Sequence, residues 1–127
     1  MSLLPMANAV SDENYVKEAK RAIAKKQLVG ALNNTKWNEL ISEVREFSEK
    51  PCYRTKVVTG YISGWENEWH YHLPFPLLCV EWIDIDYSEQ VLTLVKKIGM
   101  EFEATNSVIR IWGYFPKRYD RFGEEFN

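Results

Sequence analysis

The chain has 127 residues, 46% hydrophobic and 27% charged, which fits a single globular domain whose core needs no disulfide staples. Its net charge of -2 sets it apart from dedicated nucleic-acid binders, which are usually basic. The charge is uneven: from Glu66 to Glu103 eight acidic residues stand against Lys96 and Lys97, and from Arg110 to Arg121 four basic residues stand against Asp120. That asymmetry either steers a charged partner or is ordinary solvated surface. Cys52 and Cys79 have no metal-ligand spacing and read as small buried hydrophobes in a reducing compartment. The start lacks a basic region followed by a long apolar run, and no apolar segment approaches the ~20 residues that span a bilayer. A cytoplasmic protein without a membrane segment is expected.

Residues 1–10 are expected to be a flexible leader. Ser11 is the predicted cap of a first helix, with Asp12 and Glu13 in its opening turn and Gly30 as its stop. Its apolar stripe, Tyr15, Ala19, Ala22 and Ile23, is thin, so this helix should pack at the periphery. A second helix should begin after Asn34 or Thr35. Trp37, Leu40, Ile41, Val44 and Phe47 form a core-facing stripe, Glu39, Glu43 and Glu46 lie opposite, and Pro51 prevents continuation. Strand signals follow over Arg54 to Ser63, Trp65 to Leu73 and Leu77 to Asp86, the last two flanking Pro74-Phe75-Pro76. Asp86 and Ser88 can cap a third helix with Val91, Leu92, Val95 and Ile98 as its apolar face and Gly99 as its end. A last strand runs from about Ser107 to Phe115, and residues 117–127 read as a surface tail. The order ααβββαβ implies one α+β domain over 1–127, two-layered, with helices on one face of a mostly antiparallel four-stranded sheet.

The stretch Gly60 to Tyr87 holds three of the five tryptophans, Trp65, Trp69 and Trp82, and both histidines, His70 and His72. As a hairpin with Leu73 opposite Leu77, it places Trp69 opposite Glu81 and Tyr71 opposite Cys79. One face is then mostly apolar. The other carries Glu66, Glu68, His70 and His72 against Asp84, Trp82, Val80 and Leu78. A slip of one residue would undo this assignment.

Three functional readings follow. His70 and His72, with Glu68 or Asp84, could ligate a zinc-like ion, although two histidines two residues apart equally describe a surface pair. Glu81 among Trp69, Cys79 and Ile83 would suit general acid–base work, the bland alternative being an ion pair with Arg54, Lys56 or Arg110. Trp82, His70, His72, Glu66, Glu68 and Asp84 together would form an aromatic patch with an acidic rim, suited to a protein partner. The competing reading is that the tail covers Trp82, through Phe122 or Phe126. No P-loop, GxGxxG, CxxC or nucleophile elbow is present, so no cofactor is expected. The segment Trp112 to Arg121 could stack bases, but an acidic chain argues against nucleic acid.

The motifs NNTKW (Asn33 to Trp37), RTK (Arg54 to Lys56), GYISGW (Gly60 to Trp65), EWHYH (Glu68 to His72) and EWIDI (Glu81 to Ile85) resemble a small bacterial family of unknown function. The likeness covers roughly residues 33 to 115 and carries no activity. In size and layout the chain also resembles immunity proteins of bacterial toxin systems, a fold-level analogy. The expectation is a bacterial protein-binding module of immunity or inhibitor type, with a homo-oligomer open. The alternative is a small hydrolase or metal-dependent enzyme using Glu81, His70 and His72.

Overall fold

Helix α1 (Glu13–Lys25) begins where the Asp12 carboxylate accepts hydrogen bonds from the Asn14 and Tyr15 amides, satisfying donors that the first turn leaves free. The computed structural model describes residues 4–10 and 12–124, so the predicted Ser11 cap lies outside the described residues. The helix ends well before Gly30. Gln27 takes the left-handed conformation that closes it, and the Leu28 amide donates back to the Ile23 carbonyl. Val29–Gly30 then form a short strand, β1.

Helix α2 (Asn34–Arg45) is capped by the Asn33 side chain, which accepts from the Lys36 amide. It buries Trp37, Leu40, Ile41 and Val44, the stripe that its periodicity announces. Helix α3 (Glu89–Ile98) starts at Ser88, whose hydroxyl accepts from the Val91 amide, and stops at Gly99, where a φ of 81° favours glycine.

The strands are β2 (Tyr53–Val57), β3 (Val80–Asp86), β4 (Phe102–Ala104), β5 (Val108–Trp112) and β6 (Tyr114–Phe115). One antiparallel sheet has the order β2-β3-β5-β4, and a separate two-stranded ribbon joins β1 to β6. The α+β class and the four-stranded antiparallel sheet agree with the sequence reading. The membership differs: residues 65–73 are not a strand, and the fourth strand comes from Phe102–Ala104 instead. The strand expected over Arg54 to Ser63 ends at Val57 because the chain turns back at Gly60 (φ 115°). Residues 61–66 then run along the outer edge of β2, where Val57 donates to Tyr61, Ser63 donates to Thr55, and Tyr53 and Glu66 exchange amide bonds. The strand expected over 107–115 breaks at Gly113, where an added Cβ would lie 2.4 Å from the Val80 carbonyl oxygen.

One face of the sheet presents Tyr53, Ile83, Ile85, Ile109 and Ile111, which pack against the apolar faces of α2 and α3. Helix α1 sits apart from this core. Its Ala19, Ala22 and Ile23 pack with Leu28, Val58, Cys79 and Tyr114, the peripheral position that its thin stripe implies. The second face carries Arg54, Lys56, Trp82, Asp84, Arg110 and Trp112, all buried. Residues 116–124 lie across it: the Trp112 indole donates to the Arg118 carbonyl, and Tyr119 and Phe122 pack on the Trp112 ring.

Candidate functional site

The residues expected to form one patch belong to two separate places. Trp82 and Asp84 are both fully buried on the sheet face beneath the tail. The Trp82 indole donates to Asp120 Oδ1 at 3.3 Å, and the Arg110 guanidinium stacks 3.5 Å from its ring centroid. Asp84 accepts from Arg54 Nε at 2.9 Å and from Arg110 Nε and Nη2 at 2.6 and 2.9 Å. Trp82 is therefore no exposed anchor; the tail covers it, and the covering aromatic side is Phe122 and Tyr119 over the neighbouring Trp112. Phe126 lies outside the described residues.

Glu81 does not sit among Trp69, Cys79 and Ile83. Trp82 pairs with Lys56 and Val80 with Val57, so Glu81 is the extra residue of a β-bulge. The bulge breaks simple alternation: Val80 packs in the helix-side core, while the Glu81 carboxylate lies 3.6 Å from Lys56 Nζ and 3.7 Å from Arg118 Nε. Neither carboxylate oxygen has a hydrogen-bond partner among the described residues, and the side chain is sealed from solvent.

Glu66, Glu68, His70 and His72 belong to the loop between β2 and β3. Beyond Glu66, the backbone groups of residues 68–71 are met by side chains rather than by a ladder, and the apparent strand does not form. Arg45, near the end of α2, donates to the carbonyls of Trp69 (3.0 Å) and His70 (3.2 Å). The Glu68 carboxylate accepts from the His70 and Tyr71 amides, and the Tyr53 hydroxyl donates to the Glu68 carbonyl at 2.7 Å. Burial opposes charge on Glu68, but these amides outweigh it and hold the carboxyl below its ordinary range. The Trp69 indole donates to the Pro51 carbonyl at 2.8 Å and locks the loop onto the core. Glu66 and His72 meet each other, with Nδ1 2.8 Å from Oε1. His70 does not join them in a ligand set: among the described residues no group of three or more His, Cys, Asp or Glu could hold a metal ion.

The Glu66–His72 pair stands at a cleft of about 420 Å³. Tyr53, Thr55 and Val57 of β2 form one wall, Tyr15 of α1 and Thr59 close an end, and Tyr61, Ser63, Gly64 and Pro74 complete it. Burial raises the Tyr15 and Tyr53 phenols above their ordinary range, and the Glu66 and Glu68 charges add to the effect at Tyr53. The Ser63 hydroxyl accepts from the Thr55 amide and donates to the Gly64 carbonyl, both at 2.9 Å, so its proton is directed away from the imidazole. Sequence reasoning found Glu66 and His72 but not the cleft. Tyr15 is brought from α1, and the local signal was Tyr61, 70% exposed within the loop.

The fold and the cleft define a two-layer α+β domain with a long loop braced against its sheet edge. The chain belongs to a family of unknown function (DUF6678), whose model matches residues 19–118. That span includes the sheet, α2, α3 and all of the cleft except Tyr15. Comparison with curated proteins and with solved structures gives no significant match. Among the described residues no helix is long and apolar enough to cross a membrane.

Proposed function

We propose that this domain works by binding a protein partner, as an inhibitor of immunity type, through the loop of residues 58–76 and the cleft behind it. The observation that carries the reading is the exposure of Tyr61 and Tyr71 on a loop whose backbone is held by Arg45, Glu68 and Tyr53. Tyrosine supplies large contact area at low entropic cost, and interface hot spots are enriched in it. A braced loop also spares the partner much of the ordering penalty of association. Glu66 and His72 at the rim supply polar register. Trp82, Asp84 and Glu81 contribute through the fold rather than by contact.

The alternative is a small hydrolase. It draws on the Glu66–His72 pair, which resembles a carboxylate-oriented base. The hydrogen bonds of Ser63 and the sealing of Glu81 weigh against it. The test is capture from a lysate of the source organism by wild type and by a folded Tyr61→Ser/Tyr71→Ser variant. A stoichiometric protein lost only by the variant is the expected result. Equal capture by both, or none by either, refutes this placement of the surface.

A further inference from the structure

We infer that the cleft is a seat for an arginine side chain of the protein partner, with Glu66 as its counter-charge and the exposed ring of Tyr61 as its aromatic wall. This inference rests on the binding reading above and deepens it. The protein's own arginines show what such a seat requires. Arg110 lies 3.5 Å from the Trp82 ring centroid while bonding to the Asp84 carboxylate, and Arg54 bonds the same carboxylate while lying 5.0 Å from the Trp65 ring. Arg110 meets the carboxylate with two nitrogens and Arg54 with Nε alone, and each guanidinium also lies over an aromatic ring.

The cleft has the carboxylate and the aromatic rings but, among the described residues, no lysine or arginine in its lining. The nearby Lys26 is committed elsewhere, its ammonium donating to the Val58 carbonyl. Of the polar groups that line the cleft, the Glu66 carboxylate can only accept. His72 Nδ1 supplies one hydrogen to it, 2.8 Å from Oε1. Thr55, Thr59 and Ser63 add hydroxyls to the lining, and the volume of about 420 Å³ accommodates a long side chain with a charged end. An anionic group would meet the Glu66 carboxylate with no lysine or arginine in the lining to offset it, which makes the site selective by sign.

The test is an NMR titration of the isotope-labelled full chain with N-acetyl-arginine amide, beside its neutral isostere N-acetyl-citrulline amide and N-acetyl-lysine amide. The expected result is arginine-specific shifts confined to Thr55, Thr59, Tyr61, Ser63, Gly64, Glu66 and His72. Glu66→Gln should weaken them roughly tenfold or more, the size of one charge-assisted hydrogen bond. Tyr61→Leu, at an exposed position, provides a second variant should the first not fold. Equal shifts from citrulline, larger shifts from lysine, or no shifts at all overturn the arginine seat. The two readings separate cleanly. A partner captured through Tyr61 and Tyr71 with affinity unchanged by Glu66→Gln overturns the seat and leaves the binding reading standing. Arginine shifts with no captured partner keep the seat and remove the binding reading.

Discussion

Asp84→Ala tests the energetic reading of the buried sheet face. The substitution leaves two guanidinium groups, Arg54 at 1% and Arg110 at 0% exposure, without the carboxylate that both bind. Arg54 keeps the Arg121 carbonyl at 2.6 Å and Glu124 at 3.3 Å; Arg110 keeps the Arg118 carbonyl at 3.2 Å and the face of Trp82. Breaking a buried ion pair costs about 3–5 kcal/mol, and the surviving contacts favour the lower end. At ~2.1 cal/mol/K per residue, the unfolding entropy of this 127-residue chain is about 0.27 kcal/mol/K, so a loss of ~3 kcal/mol lowers Tm by about 11 °C. Urea unfolding followed by tryptophan fluorescence gives the same quantity at fixed temperature, with the slope unchanged. A loss below about 1 kcal/mol would refute the reasoning, since it would mean that the two cations find water or other partners at no cost. The companion variant Arg54→Met/Asp84→Leu/Arg110→Met removes all three charges and should cost less than Asp84→Ala alone.

Gly113→Ala should destabilise by about 2–3 kcal/mol, because its Cβ would meet backbone at 2.4 Å, whereas Gly30→Ala, with nothing within 4 Å, should stay within about 0.5 kcal/mol; equal melts would refute the contrast. Acid should loosen the tail. Arg121 and then Arg54 hold the Glu124 carboxyl down to about 2 from 4.5, so its contribution is complete above the ordinary carboxylate range and is lost as pH falls from about 4.5 to about 2. Asp120 shifts in the same direction, Lys56 outweighing the opposing effect of burial. Aromatic NMR signals of Tyr119 and Phe122 should therefore move in that window, and release near neutrality would contradict the assignment. Burial pushes the Cys79 thiol up to about 11, so a thiol reagent at mild alkaline pH should modify it only on unfolding; rapid labelling of the native protein would count against its placement.

What could be read from sequence followed from local rules. The α2 stripe and the Ser88 and Gly99 boundaries of α3 are properties of residues within a few positions of each other. The loop of residues 65–73 misled because Glu-Trp-His-Tyr-His alternates like a strand, while its hydrogen bonds come from Arg45 and Tyr53, far away in the chain. Glu81 misled because parity counting has no means of seeing a bulge. The candidate site shared both faults: Glu66 and His72 were found, but Trp82 and Asp84 were assigned to them through a hairpin that does not exist. The cleft needs Tyr15 from α1, a contact that no spacing rule supplies.

The strand order has a consequence for synthesis. Strand β5 is interior, flanked by β3 and β4, yet it is made after both of them. While the chain emerges from the ribosome, β3 can hold only β2, and the hydrocarbon of Ile83 and Ile85 faces helices with half its sheet missing. The nascent protein therefore carries an open strand edge until residues 108–112 clear the exit tunnel.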